Sequence, residues 1–365
     1  MAHIEEQLKD APAPQKGYRA PVKWWILAGV VMIIGQVVIG GITRLTGSGL
    51  SITKWEIVTG TLPPLNEVQW EEAFQAYEAT PQYQKINEGM SMSDFKFIYF
   101  WEYFHRLWAR LMGFVFLIPF IFFWRKGWLD GPLMKRLGIT VLLAAVVASF
   151  GWIMVASGLV DRPWVNAYKL TMHLSLACIL YAYLLWTLYK VWLPTPAPTG
   201  LPPAARQWAL GIMALLAVQI VLGGIMSGAK AALAYPSWPD MNGEWIPGLL
   251  LDINMWNVDN FVQYDATPFL AAFIQLVHRS VAYLLTILVL YYFFRYRKAS
   301  SNELFKHSLN VLITMLITQV LLGIATVVSS VGIIPVGLGV LHQAGALAML
   351  SVMLGVIYQL PPGRR

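Results

Sequence analysis

Cysteine and charge are both scarce in this chain. A single cysteine, Cys178, stands in an apolar stretch, so no intramolecular disulfide and no thiolate zinc or iron–sulfur centre can be built from it. Asp, Glu, Lys and Arg together make up 12% of the 365 residues. A soluble domain carries roughly 25%, and a soluble globular protein is excluded. Carboxylates are missing from the long apolar runs with one exception, Glu102. Residues 1–23 are polar, and no cleavable leader is expected before the first apolar run, which is itself long enough to span.

What is abundant is apolar: 57% of the residues, with a mean hydropathy of +0.57. A membrane-spanning helix needs about 20 such residues in a row. Eight runs qualify, at 24–45, 98–124, 137–158, 167–189, 207–228, 269–294, 307–330 and 335–360. The chain is therefore predicted to be an all-α integral membrane protein with eight transmembrane helices. The net charge of +7 does not point to nucleic acid, because the cations are scattered around the apolar runs, where they orient the helices in lipid. With a cytoplasmic N-terminus, the inner segments hold sixteen of the 26 Lys and Arg residues and the longer outer loops hold five. This bias predicts a multi-pass protein of the cell (inner) membrane with both termini cytoplasmic. The last five cations, Arg44, Arg106, Arg110, Lys169 and Arg279, fall inside the runs, each in the outer half of its helix. Snorkelling alone would distribute them over both sides, so an anion near the outer face is expected. Two outer loops are long, 46–97 and 229–268, and the first contains a helical stretch near 67–78.

The chain repeats itself. Gln36-Val-Val-Ile-Gly-Gly41 in the first helix is echoed by Gln219-Ile-Val-Leu-Gly-Gly224 in the fifth, His105-Arg106 in the second by His278-Arg279 in the sixth, and His173 in the fourth by His342 in the eighth. Two parallel-repeat four-helix bundles follow, related by an axis along the membrane normal. The expected divisions are a cytoplasmic tail 1–23, an N-terminal half 24–190, a Pro-rich linker 191–206 and a C-terminal half 207–365.

His3 and His307 read as structural or solvated. The other four histidines sit one each in helices two, four, six and eight, all at similar depth toward the outer face. Ionisable groups inside a membrane are costly to bury and mark function by default. Histidine pairs facing one another in a four-helix bundle suit the axial positions of heme iron, and heme propionates are the anions that Arg106, Lys169 and Arg279 are placed to meet. Zinc would need four converging ligands, and a di-iron site two Glu-x-x-His elements. Each half offers two histidines and at most one carboxylate.

That carboxylate is Glu102, three residues before His105 and so on the same helix face. Its counterpart in the second half is Gln275, which cannot ionise. Two readings stay open. Glu102 either takes part in chemistry at the N-terminal site while the C-terminal site transfers electrons, or it hydrogen-bonds a ligand or a nearby arginine.

The chain resembles heme A synthase over essentially its whole length. The resemblance rests on Gly41-Ile-Thr-Arg-Leu-Thr-Gly-Ser-Gly-Leu-Ser51, Asp94-Phe-Lys-Phe-Ile-Tyr-Phe-Trp-Glu-Tyr-Phe-His-Arg106 and Gln275-Leu-Val-His-Arg279. The long first outer loop with Pro63-Pro64 is similar to the mitochondrial and proteobacterial branch, and the outer-loop cysteine pairs of the Bacillus-type branch are lacking. The resemblance implies oxidation of a methyl substituent of heme O to a formyl group, giving heme A for terminal oxidases. It implies that His105 and His173 flank the substrate heme, that His278 and His342 ligate heme B, and that Glu102 is the catalytic carboxylate. It also implies an electron acceptor, which the sequence does not name, and heme O synthase and oxidase assembly factors as candidate partners. The competing class is a non-catalytic membrane diheme b-type electron-transfer protein. A transporter made of two repeats is a third, although transporter sites usually lie at the midplane.

Overall fold

The structure is a computed structural model that describes residues 17–54, 62–158 and 162–361. Most of the N-terminal tail, the C-terminal Arg364 and Arg365, and 55–61 of the first long loop lie outside the described residues. Nine helices are labelled here: α1 (Ala20–Leu45), α2 (Glu67–Glu78), α3 (Met92–Arg125), α4 (Gly131–Ala156), α5 (Ala167–Trp192), α6 (Pro203–Gly228), α7 (Phe269–Arg297), α8 (Glu303–Val328) and α9 (Val336–Tyr358). All but α2 are long and apolar enough to cross a membrane, eight candidate spans as the apolar runs require.

The helices outrun the apolar segments where polar caps permit it. Ser91 accepts from Asp94 N and starts α3 six residues before its apolar run. Asp130 accepts from Leu133 N with Pro132 in the first turn, and α4 begins there. Such a cap satisfies one of the four N–H groups that a helix start leaves open. Asn66 does the same for α2, whose bounds coincide with the helical stretch expected at 67–78.

Helices α1, α5, α6 and α9 form the centre, with α5 against α6, α9 against α1, and α9 against both α5 and α6. The other four each pack on a neighbour in sequence: α3 on α1, α4 on α5, α7 on α6 and α8 on α9. Four antiparallel hairpins thus surround one core. The outer helices of the second half, α7 and α8, also pack on each other, whereas α3 and α4 do not pack along their lengths in this way.

The core is concentrated away from the long loops. Tyr292, Phe305, Leu309, Leu312 and Leu137 are fully buried there. On α4 and α8 the buried side chains end at Thr140 and Leu316, and on α6 only Gly224 and Gly228 are buried beyond Leu216. At the long-loop face, Tyr264 Oη accepts from Ala167 N (2.8 Å), Tyr168 Oη donates to the Phe261 carbonyl (2.7 Å), and Arg162 pairs with Asp265 (3.2 Å). These bonds tie the α4–α5 connection to the loop ahead of α7.

Candidate functional site

His105 on α3, His173 on α5, His278 on α7 and His342 on α9 all lie in the halves of their helices nearer the long loops. The helices bring His105 within electrostatic reach of His173, and His278 within reach of His342. Each ring rests on a glycine of the membrane span before it. A methyl group placed on Gly40 would stand 2.9 Å from His105 Nε2, and one on Gly151 3.0 Å from His173 Cε1. The corresponding distances are 3.4 Å from Gly223 to His278 Cε1 and 2.9 Å from Gly323 to His342 Cε1. Contacts of about 3 Å are too close for a real side chain, so glycine is what lets these rings in at three of the four positions.

One turn before three of these glycines stands a glutamine. Gln36 Nε2 donates to the His105 carbonyl (3.2 Å), Gln219 Nε2 to the His278 carbonyl (3.1 Å) and Gln319 Nε2 to the His342 carbonyl (2.8 Å). At the fourth position the residue is Val147, and there His173 Nδ1 itself bonds the Val147 carbonyl (3.0 Å). The repeated Gln-x-x-x-Gly of α1 and α6 marks the internal repeat in the sequence. A third copy, Gln319-Val-Leu-Leu-Gly323, stands in α8, and the contact of all three with histidines emerges only once the hairpins are formed.

Glu102 is 3% exposed. Its Oε1 accepts from Arg106 Nη2 (2.6 Å), and its Oε2 accepts from Ser51 Oγ and Ile52 N, both at 2.8 Å. Arg106 also donates to the carbonyls of Ile52 and Lys54, at 3.2 Å each. The carboxylate and the arginine together clamp the chain as it leaves α1. A carboxylate has about four lone-pair positions; three are used, leaving one for a proton or water.

The second half builds the same clamp without the charge. Gln275, fully buried, donates from Nε2 to the Tyr235 carbonyl (2.8 Å). Arg279 donates to the carbonyls of Ser237 and Asp240, both at 2.7 Å, and more distantly to Tyr235 and Pro239. The sequence sends Arg106 and Arg279 to an anion; in the structure Arg106 holds the Glu102 carboxylate and loop carbonyls, and Arg279 holds loop carbonyls. The Lys169 ammonium has no partner among the described residues. Arg44 bridges the halves, donating to the carbonyls of Ser227 and Gly228 at the end of α6 (3.0 and 3.2 Å). Ser51 and the glutamines are site residues that charge and spacing did not reveal, because their roles depend on which loop or helix lands beside them.

The fold and these contacts define a multi-pass helical membrane protein in which every second span sets a histidine against a glycine of the span before it. The chain belongs to the family of cytochrome oxidase assembly proteins, whose family model matches residues 23–354. It is similar to proteins named heme A synthase from Nitrosospira multiformis, Flavobacterium johnsoniae and Bradyrhizobium diazoefficiens. Each is 38% identical to it, over 93%, 92% and 93% of this chain and 93%, 96% and 91% of theirs.

Proposed function

We propose that the protein is a heme A synthase that oxidises a methyl substituent of heme O to a formyl group, with heme O held in the N-terminal half and heme B in the C-terminal half. The observation that carries this is the asymmetry between two otherwise matching clamps: a buried carboxylate three residues before a histidine in one half and a neutral amide in the other. A pure electron relay needs no such carboxylate. The residues fit a heme at each site. The histidines are part-buried, paired within each half and seated on glycines, and the imidazole Nδ1 atoms of His278 and His342 are buried without a hydrogen-bond partner among the described residues. His105 and His173 would hold the substrate heme, and His278 and His342 the heme B iron, which supplies a one-electron redox centre when bound. Lys169, whose ammonium has no partner among the described residues, would meet a propionate, while Arg106 and Arg279 add positive charge from the loops they fasten.

Converting a methyl group to a formyl group takes one water and releases four protons and four electrons, in two rounds through the alcohol. An electron acceptor is therefore required. Glu102 would take a proton from water and stabilise developing positive charge, with Arg106, Ser51 and Ile52 N fixing the carboxylate so that little reorganisation is needed. The looser packing of α3 and α4 suits the half whose occupant must enter and leave. The charge bias of the loops supports cytoplasmic termini, with the long loops and the histidine layer toward the outer face. The test is pigment extraction from cells that make heme O. Heme A should appear only when this chain is expressed. Retention of heme B without any heme A would favour the diheme electron-transfer protein instead.

A further inference from the structure

The second long loop runs down the side of α7 instead of standing clear of it. Leu249, Leu250 and Met255 join Phe269, Ala272, Phe273 and Leu276 in one apolar cluster, and the Trp256 ring lies 5.2 Å from that of Phe269 and 5.6 Å from that of Phe273. Further along the helix, Arg279 holds the Ser237 and Asp240 carbonyls, and Trp238 Nε1 donates to Tyr283 Oη (3.1 Å). Leu276 stands nineteen residues before Arg295 in the last turn of α7, about 28 Å at about 1.5 Å per residue. A hydrocarbon core is about 30 Å thick, so the loop sits on α7 at the edge of that core. The first long loop differs. Its helix α2 packs on α3 at Phe95 and Ile98, thirty and twenty-seven residues before Arg125. Those positions are about 45 and 40 Å along the helix, well clear of the core.

The outward side of this loop takes over from the lipid face of the span. Beyond the loop, Tyr283, Ile287, Tyr291 and Phe294 form an exposed apolar stripe at helical spacing. Trp238 is exposed as well, and it is bonded to the first residue of that stripe. Trp245 (73% exposed), Ile246, Leu251, Ile253 (79% exposed) and Val258 follow in the same loop. So dense a run of exposed apolar side chains marks a membrane or protein contact, and tryptophan favours the headgroup level of a bilayer. No Lys or Arg occurs between Ala231 and His278, whereas five carboxylates do, so attraction to anionic headgroups contributes nothing. We propose that this loop is an interfacial anchor, with Trp238, Trp245, Ile246, Leu251, Ile253 and Val258 in the headgroup–acyl boundary of the leaflet on the long-loop side. The partner is the phospholipid surface itself, because the patch continues the lipid face of α7 at the depth of the bilayer boundary. Arg279 fastens the same loop beside His278, so the anchor fixes the loop against that end of the C-terminal half.

The experiment reconstitutes the full-length chain in phosphatidylcholine vesicles. Cys178→Ser removes the one native thiol. Ile246→Cys, Leu251→Cys, Ile253→Cys and Glu72→Cys are then introduced singly and labelled with a nitroxide. All four positions are exposed, so the labels displace no packing. Collision of each label with oxygen, which concentrates in lipid, is compared with collision with a water-soluble nickel chelate. At Ile246, Leu251 and Ile253 the oxygen-to-nickel ratio should be several-fold higher than at Glu72, the water-facing control on α2. Adding phosphatidylglycerol to the vesicles should leave the ratios unchanged, because the contact is apolar. Ratios at the three loop positions equal to that at Glu72 would overturn the proposal, since the loop would then stand in water. Exclusion of both reagents would overturn it too, since a second copy of the chain would then cover the face. A ratio that rises only when phosphatidylglycerol is present would overturn it in favour of a headgroup site.

Discussion

Ser51 shows how a loop residue can govern a buried carboxylate. It is 1% exposed, and its hydroxyl and the next peptide N–H supply two of the three bonds that Glu102 accepts. Removing the hydroxyl leaves Oε2 with one donor and frees the carboxylate to rotate. Ser51→Ala is expected to lower turnover about tenfold, near the ~1.4 kcal/mol of one buried hydrogen bond. Heme B content should be unchanged, and Ser51→Thr should restore most of the rate; loss of heme B in Ser51→Ala would show that the contact is structural. At the other site, His278→Ala and His342→Ala should each abolish the low-spin heme B spectrum while the chain still inserts. The histidines and Glu102 stand out in the sequence because an ionisable residue inside an apolar run is conspicuous. Ser51 does not, since a serine in a polar loop carries no signal until the loop is folded onto α3.

At the scale of the element, the hairpin is the unit that matters. Within α4, Gly151 and Gly138 are both ordinary glycines by sequence, yet a methyl group on Gly151 would come within 3.0 Å of the His173 ring and one on Gly138 would meet nothing within 4 Å. Gly151→Ala should therefore impair binding at the N-terminal site. Gly138→Ala should leave binding unchanged and stabilise the helix by up to about 1 kcal/mol; thermal unfolding and heme content of the two variants separate these outcomes. Helix positions were read well from hydropathy, because length and apolarity are what a bilayer demands. The starts of α3 and α4 were set several residues too late, because capping by Ser91 and Asp130 extends each helix past its apolar run. The socket glycines could be seen only in part, since glycine is frequent in membrane helices and one of the four, Gly151, lies outside the Gln-x-x-x-Gly motif, Val147 standing where the others have glutamine.

For the whole molecule, eight candidate spans and a central group of α1, α5, α6 and α9 place the two pairs of histidines on one side of a common core. Reporters fused at 130, 195 and 300 should read as cytoplasmic, and those at 75 and 250 as external; one reversed result breaks the topology drawn from the loop charges. Pairing between helices was beyond the sequence, which showed a repeat but not the closer packing of α7 on α8 compared with α3 and α4. That packing and the two clamps set the halves apart. The division of labour between them is the central claim, and Glu102→Gln tests it most directly. The substitution leaves a side chain that can still accept from Arg106 or Ile52 N, and it makes the first clamp resemble the second, where Gln275 is accommodated beside Arg279. Folding and heme B content should change little. Heme A formation should fall by at least about 100-fold, the low end for losing an acid–base group. The pigment extracted from the purified variant should be heme B together with heme O or its alcohol. Heme A made by Glu102→Gln at near the wild-type rate would contradict the account, reducing Glu102 to a loop fastener and removing the reason to place the chemistry in the N-terminal half.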